Sequence, residues 1–326
     1  MAKGRLRRAE CRLTTPRDAQ LNRLRYVLIH ASCIIAVAVL AYPRSAAWAW
    51  GNEGHQIVAI IAADNLGQAA RAQVAKILGA ANDTGSVESA MAAASLLPDT
   101  EFRVKDKSTI PWHFIDICLQ DSKSEIPARC PAGACVTAKI DQYSSRLKDG
   151  NYDRWGAAGD LAFLIHFVGD IHQPLHAATD ADLGGNCVRV EPQSWGPNLH
   201  LTWDLAVVSE LEAGLGTRND PIATARKLEA QYSAYKTTGG SWKPGEANAI
   251  AWESRQIAQS EIYAALVIPV AACAPDNRSC SGAPRKTMVL SQSYMKRAAL
   301  IAGSQLAKAG FRLAGLLNSI WPTRSP

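Results

Sequence analysis

Apolar residues recur at three- and four-residue intervals over much of the chain, the spacing that gives a helix one buried stripe. The pattern starts at Glu53–Leu66, just after Trp50-Gly-Asn-Glu-Gly54-His55, and resumes over Gln68–Leu78 until Gly79, a usual stop. Ala-rich Val87–Leu97 predicts a third helix, halted by Pro98-Asp99. A polar loop and Ile110-Pro-Trp-His113-Phe-Ile-Asp116-Ile follow. Residues 119–134 hold Asp, Ser, Pro and Gly without periodicity and read as a cysteine-pinned loop. Helical spacing returns over Val136–Lys148, Gly159–Leu175, Leu199–Leu211, Ile222–Tyr235, Ala247–Leu266 and Ser291–Ile320. The last stretch is long and amphipathic, with Gly303, Gly310 and Gly315 where neighbours can approach closely. Asp180–Pro197, containing Gly184-Gly185-Asn186 and Val188-Arg-Val190, predicts a small hairpin or loop. There is no internal repeat, low-complexity tract or strand series. The pattern predicts one all-α domain.

Chemistry concentrates in Phe163-Leu-Ile-His166-Phe-Val-Gly-Asp170-Ile-His172-Gln-Pro174-Leu-His176, an apolar run holding three of the chain's seven histidines. At about 100° per residue, His166 and Asp170 share a helix face and can grip one metal ion. His176 would lie roughly 120° further round and about 9 Å along a continuing helix, which suits a second metal better. Pro174 kinks the chain or ends the helix there. Asn198-Leu-His200-Leu-Thr-Trp-Asp204 repeats the His/Asp pair at i and i+4. His55, His113, Asp99 and Asp170 complete a set of imidazoles and carboxylates of the kind zinc accepts. His172 reads as a packing residue or one that supports a ligand.

Charge changes the picture at the N-terminus. Of 35 Lys/Arg and 29 Asp/Glu, residues 1–49 hold nine and two, leaving 26 against 27 in the remainder. That near-neutral remainder has no general basic surface for gripping duplex DNA. Residues 1–49 predict a removed export signal with an N-terminal extension. Arg23 and Arg25 precede the apolar run Val27 to Tyr42, and Ala47-Trp48-Ala49 matches a small-x-small cleavage site. The run is short for a spanning helix. Cleavage after Ala49 makes Trp50 the first residue of a mature domain, 50–326, exported to the periplasm or medium. Removal leaves Cys118, Cys130, Cys135, Cys187, Cys273 and Cys280, an even count that predicts disulfides in an exported chain. Spacing suggests Cys130–Cys135 and Cys273–Cys280, with Cys118–Cys187 as remainder, among 15 connectivities.

These motifs resemble the zinc-dependent, single-strand-specific S-one/P-one nucleases (class I nucleases) over nearly all of residues 50–320. The resemblance runs through Trp50-Gly-x-x-Gly54-His55, Pro98-Asp99, Pro111-Trp-His113-Phe-Ile-Asp116 and His166-Phe-x-Gly-Asp170-x-His-Gln-Pro-Leu-His176. It continues through Gly184-Gly-Asn186, Asn198-Leu-His200-x-x-Trp-Asp204, Trp252-Glu-Ser254 and Gln305-Leu-Ala-x-Ala-Gly310. It implies an all-α fold of the zinc-dependent phospholipase C and nuclease type and three zinc ions per chain. Asp99, His113, His166 and Asp170 would bind one. Trp50, through its α-amine and carbonyl, would bind another with His55 and a shared Asp170. His176, His200 and Asp204 would hold the third.

The implied activity is endonucleolytic hydrolysis of single-stranded DNA and RNA to 5′-phosphate products, with 3′-nucleotidase activity, by a metal-bridging hydroxide. The implied protein is a monomer with no stable protein partner and, after signal removal, no membrane attachment. Asp170 and Asp116 are the catalytic candidates, Asp116 by steering water or a ligand imidazole. Phe114 and Asn198 are the substrate-binding candidates, and Trp195 is another possible stacking wall. Zinc-dependent phospholipases C are the rival family, with a longer Trp-to-His separation and Glu where Asp204 stands. A non-catalytic zinc-binding exported protein is the rival of another class.

Overall fold

A computed structural model describes residues 50–323 apart from 240–241, 243–244, 274–279 and 285; the expected export signal lies outside the described residues. The principal helices are α1 (Gly51–Asp64), α2 (Gln68–Leu78), α3 (Thr84–Ala94), α4 (Val136–Asp149) and α5 (Gly156–His172), followed by α6 (Val207–Leu215), α7 (Pro221–Gln231), α8 (Ala247–Ile257) and α9 (Gln292–Ile320). The all-α expectation holds. Asp180–Pro197 takes the looped form of the two expected, closed by a single antiparallel bridge between Arg189 and Asn198. Within it, β1 (Val190–Glu191) pairs in parallel with β2 (Met288–Val289), the one sheet among the described residues. No described helix is long and apolar enough to cross a membrane.

Local chemistry explains several boundaries. Asp83 caps α3 by accepting from Ser86 N at 2.9 Å, so this helix begins before the apolar stretch. Gly79, Gly150 and Gly216 end α2, α4 and α6 in the left-handed conformation. The predicted helix Leu199–Leu211 is instead broken into the turn Leu199–Leu201, a π-turn over Thr202–Ala206, and α6. The predicted Ala247–Leu266 helix likewise passes from α8 into a π-turn at Ala258–Tyr263.

The helix α5 runs through the core. Every residue from Gly159 to His172 is buried, consistent with apolar character on all its faces. It packs against α1, α3, α4, α8 and α9. Phe163 lies between Tyr143 at 5.0 Å and Phe167 at 5.3 Å, ring centre to ring centre. Each such phenyl ring stabilises the fold by roughly 1.5–3 kcal/mol through burial. Across the domain, α9 crosses α1 where Gly310 meets Ile61; a Cβ there would stand 2.5 Å from the isoleucine side chain.

The end of α5 decides where the ligands stand. The residue before a proline is pushed out of helical geometry. Gln173 accordingly has ψ 116°, and the helix stops at His172 rather than Leu175. A helix leaves its last four carbonyls without partners inside it. Here each receives a donor: Gly169 from the Trp50 indole at 2.9 Å, Asp170 from Gln173 N at 2.9 Å, Ile171 from the Ser254 hydroxyl at 2.6 Å, and His172 from the Gln305 amide at 3.0 Å. The motif residues Trp50, Ser254 and Gln305 are thereby tied to one helix end.

The disulfides correct the expected pairing. Cys130–Cys135 forms as expected, but the other bridges are Cys118–Cys273 and Cys187–Cys280. Their Cα separations of 6.0 and 5.6 Å lie in the range a disulfide spans. The chain beyond α8 returns across the loops carrying Cys118 and Cys187, as the hydrogen bond from Gly282 N to Ala181 O shows. Sequence proximity of Cys273 and Cys280 concealed that return.

Candidate metal centre

His55 projects from α1, His166 and Asp170 from α5, Asp99 from the π-turn Pro98–Phe102, and His113 from the end of the turn Lys107–His113. All five are buried. Asp170 divides its oxygens: Oδ1 lies 3.4 Å from His55 Nε2, while Oδ2 lies 3.0 Å from His113 Nδ1 and 3.3 Å from His166 Nε2. Asp99 stands 3.7 Å from both His113 Nδ1 and His166 Nε2. His55, Asp99 and His166 also bring ligand atoms within 4.8 Å of one another, so the first two expected groups are contiguous. Gly169 makes the α1–α5 approach possible. A Cβ there would lie 2.9 Å from His55 Nδ1.

The third group consists of His176, His200 and Asp204. His176 stands on the single turn Pro174–His176, not on a continuing helix, so its separation from His166 and Asp170 arises from the chain reversal at Gln173. His176 Nε2 is 3.7 Å from Asp204 Oδ1, and His200 Nε2 is 3.4 Å from Asp204 Oδ2.

Hydrogen bonds orient the imidazoles. Nδ1–H of His166 donates to Ser95 O at 2.7 Å, that of His176 to His113 O at 3.0 Å, and that of His200 to Gly184 O at 2.7 Å. Fixing Nδ1 as the donor leaves each Nε2 with an inward lone pair. Gly184 presents its carbonyl from a φ of 60°, where a Cβ would meet Leu175 O at 2.5 Å. A side chain is therefore excluded at this position.

Electrostatics also favour a cation in the centre. Burial raises the Asp99 pKa to about 7 against the lowering charge of Arg103. Burial pushes Asp170 well above the ordinary carboxylate range, helped by Asp99 and Asp204; Asp204 is also pushed up by burial. Burial holds His166 near 3 and drives His113 and His176 well below the usual imidazole value. Neutral imidazoles are already in the form a metal binds. Three buried carboxylates need more positive charge than the Arg103 guanidinium, 3.3 Å from Asp99, supplies. Asp170 Oδ1, Asp204 Oδ2, His176 Nε2 and His200 Nε2 are buried without hydrogen bonds. The donor set fits divalent metal ions.

Trp50 is buried and left-handed at φ 51°; its backbone N–H bonds to Asp204. Asp116 is half-buried and its negative charge acts on His200. Phe114 and Trp195 are half-buried. Asn198 caps its turn by accepting from Leu201 N at 2.8 Å through its side-chain oxygen. His172 is turned away from the ligands: Nε2 accepts from Arg312 at 2.9 Å, and Arg312 pairs with Glu253 at 2.7 Å. Sequence reasoning overlooked Arg103, whose four-residue spacing from Asp99 was the available signal, and Gln173, which carried none beyond its motif.

The S1/P1 Nuclease family model matches residues 50–322. Endonuclease 3 of Arabidopsis thaliana is 28% identical over 301 residues, covering 89% of this chain and 95% of that relative. Nuclease P1 of Penicillium citrinum is 28% identical over 288 residues, covering 83% and 97%. Nuclease S1 of Aspergillus oryzae is 27% identical over 301 residues, covering 89% and 96%. With a match spanning the whole metal centre, this chain belongs to the S1/P1 nuclease family.

Proposed function

We propose that this metal-dependent nuclease uses three zinc ions to hydrolyse single-stranded DNA and RNA to 5′-phosphate products, and also removes phosphate from 3′-nucleotides. The observation that carries the reading is the division of Asp170 between His55 and the His113/His166 pair, beside a separate His176/His200/Asp204 group. Asp99, His113, His166 and Asp170 would hold one zinc, Trp50, His55 and Asp170 the second, and His176, His200 and Asp204 the third. Bound zinc lowers the pKa of water towards neutrality and neutralises phosphate oxygens.

The chain's own groups supply the remaining requirements. Asp170 keeps the first two ligand groups in register, while the Nδ1 bonds to Ser95, His113 and Gly184 prevent imidazole rotation. Arg103 provides a cation beside Asp99 for a phosphate oxygen. Asp116 orients a proton-bearing group at its carboxylate, near His200. Phe114 and Trp195 offer rings to an unstacked base, worth about 1–3 kcal/mol per base, and the Asn198 amide offers a donor. A recessed centre favours a strand that can bend and unstack. A paired duplex lacks that freedom.

Residues 1–49 act as an export signal in this reading. Its removal turns the Trp50 nitrogen from an amide into an amine that can ligate zinc. Purified residues 50–326 should bind three zinc ions and cleave denatured DNA, RNA and 3′-AMP, losing all three activities in chelator. Hydrolysis of phosphatidylcholine without nucleic-acid cleavage would instead identify a phospholipase. Zinc binding without any hydrolysis would identify a non-catalytic protein.

A further inference from the structure

Gln173 stands between the two halves of the metal centre. Its backbone N–H donates to Asp170 O at 2.9 Å, attaching it to the residue that spans the first two groups. Its side chain is fully buried and uses both ends of the amide. Oε1 accepts from Leu175 N at 2.6 Å within the turn that carries His176, while Nε2 donates to Asp204 Oδ1 at 2.7 Å. One side chain therefore fixes the backbone beside one ligand of the third group and the carboxylate of another.

We propose that Gln173 is a positioning residue for the third zinc, holding Asp204 and the His176 turn in one geometry. This inference rests on the three-zinc reading. A carboxylate can turn about its terminal torsion, but a donor on Oδ1 selects one orientation. Oδ2 then faces His200 Nε2 at 3.4 Å and makes no hydrogen bond of its own. The task requires a donor and an acceptor on one short stem. Glu provides no donor when ionised, and Lys provides no acceptor. The amide is also neutral, so it orients Asp204 without adding a fixed cation beside a divalent ion.

The test is stepwise zinc titration against a competing chromophoric chelator, using residues 50–326 with a free Trp50 amine. Gln173→Glu keeps the acceptor for Leu175 but places a carboxylate against Asp204. It should weaken one of three zinc equivalents by about 10–100-fold, the scale on which groups behind metal ligands act. The other two should be unchanged. Gln173→Met keeps the length without either hydrogen bond and should weaken the same equivalent less, because it introduces no charge; it carries the test if the Glu variant does not fold. Cobalt substituted into the weakened site should show an altered visible spectrum. Equal weakening of all three equivalents, or none, would overturn the positioning role while leaving the three-zinc reading intact. A wild-type domain that binds no zinc would overturn both.

Discussion

The His166/Asp170 end of the metal centre and the His176/His200/Asp204 end are built by different means. The first pair stands one turn apart on a helix buried from Gly159 to its end, so periodicity and core packing place both side chains. The second set comes from a single turn after Pro174 and from a helix start that passes through a π-turn. Its imidazoles, like that of His166 on Ser95 O, bond to carbonyls from other segments, His113 O and Gly184 O, but no long helix carries them. The disulfide Cys187–Cys280 and the Gln173 amide add cross-links beside it. A regular element thus needs few external constraints to present ligands. An irregular one needs several, and their removal should be felt locally.

The largest expected effect lies at the helical end. Asp170→Asn removes the charge shared between His55 and the His113/His166 pair. Zinc content should fall, and turnover should fall by on the order of 10²–10³-fold at least, the scale for losing one preorganised electrostatic group. Near-normal turnover with three zincs retained would remove Asp170 from its bridging role. The next effect separates the chain terminus from both ends. With an uncleaved tag before Trp50, the nitrogen is an amide; after cleavage it is an amine of pKa about 7.7–8.0. The tagged form should lack one zinc and be nearly inactive until protease treatment, as measured by metal analysis and single-stranded DNA cleavage. Equal activity before and after treatment would exclude the amine as a ligand.

A smaller effect should distinguish the irregular end by itself. Replacing both Cys187 and Cys280 with Ser releases a bridge that closes 93 residues beside the loop carrying Gly184. Denaturant unfolding should show a loss of about 2–4 kcal/mol. Chelator titration should show weakening confined to the third zinc. The matching Cys130/Cys135 pair closes five residues and should leave all three affinities unchanged. Equal loss at every metal would mean that the bridge supports the fold generally rather than the irregular end.

This contrast also governs what was legible in the sequence. His166/Asp170 was visible because a helix converts spacing into direction, His200/Asp204 because the four-residue spacing still brings the pair together through the π-turn, and Gly79 and Pro174 marked a stop and a break. The assignment of His176 to another group came from extending a helix that in fact ends at His172; the chain reversal produced the same separation by another route. Long-range partners left no local trace. Nothing in the spacing of Cys273 and Cys280 revealed that the return of the chain pairs them with Cys118 and Cys187. That His113 turns Nδ1 rather than Nε2 toward Asp170 follows from a ring orientation set by tertiary packing. Gln173 was hidden because an amide shows its value only when both of its partners are placed.

The smallest effect tests the support beneath the helical end and appears as a pH slope. His172 is buried, and burial followed by the Arg312 charge lowers its pKa from 6.5 to about 3. In the unfolded chain this imidazole takes up a proton below about 6.5, whereas in the folded chain it stays neutral until about 3. The unfolded state therefore binds more protons between those values. Its neutral burial contributes stability that is lost as pH falls through this window, at up to about 1.4 kcal/mol per pH unit for one proton. His172→Gln should remove that component. Metal-free protein unfolded in denaturant at pH 6.5 and 4.5 should show a shallower decline in the variant than in wild type. Zinc binding at pH 7 should retain all three equivalents, because His172 faces Arg312 rather than the ligands. Loss of a whole zinc would make His172 part of the metal set. An unchanged slope would show that its proton is not excluded by the fold.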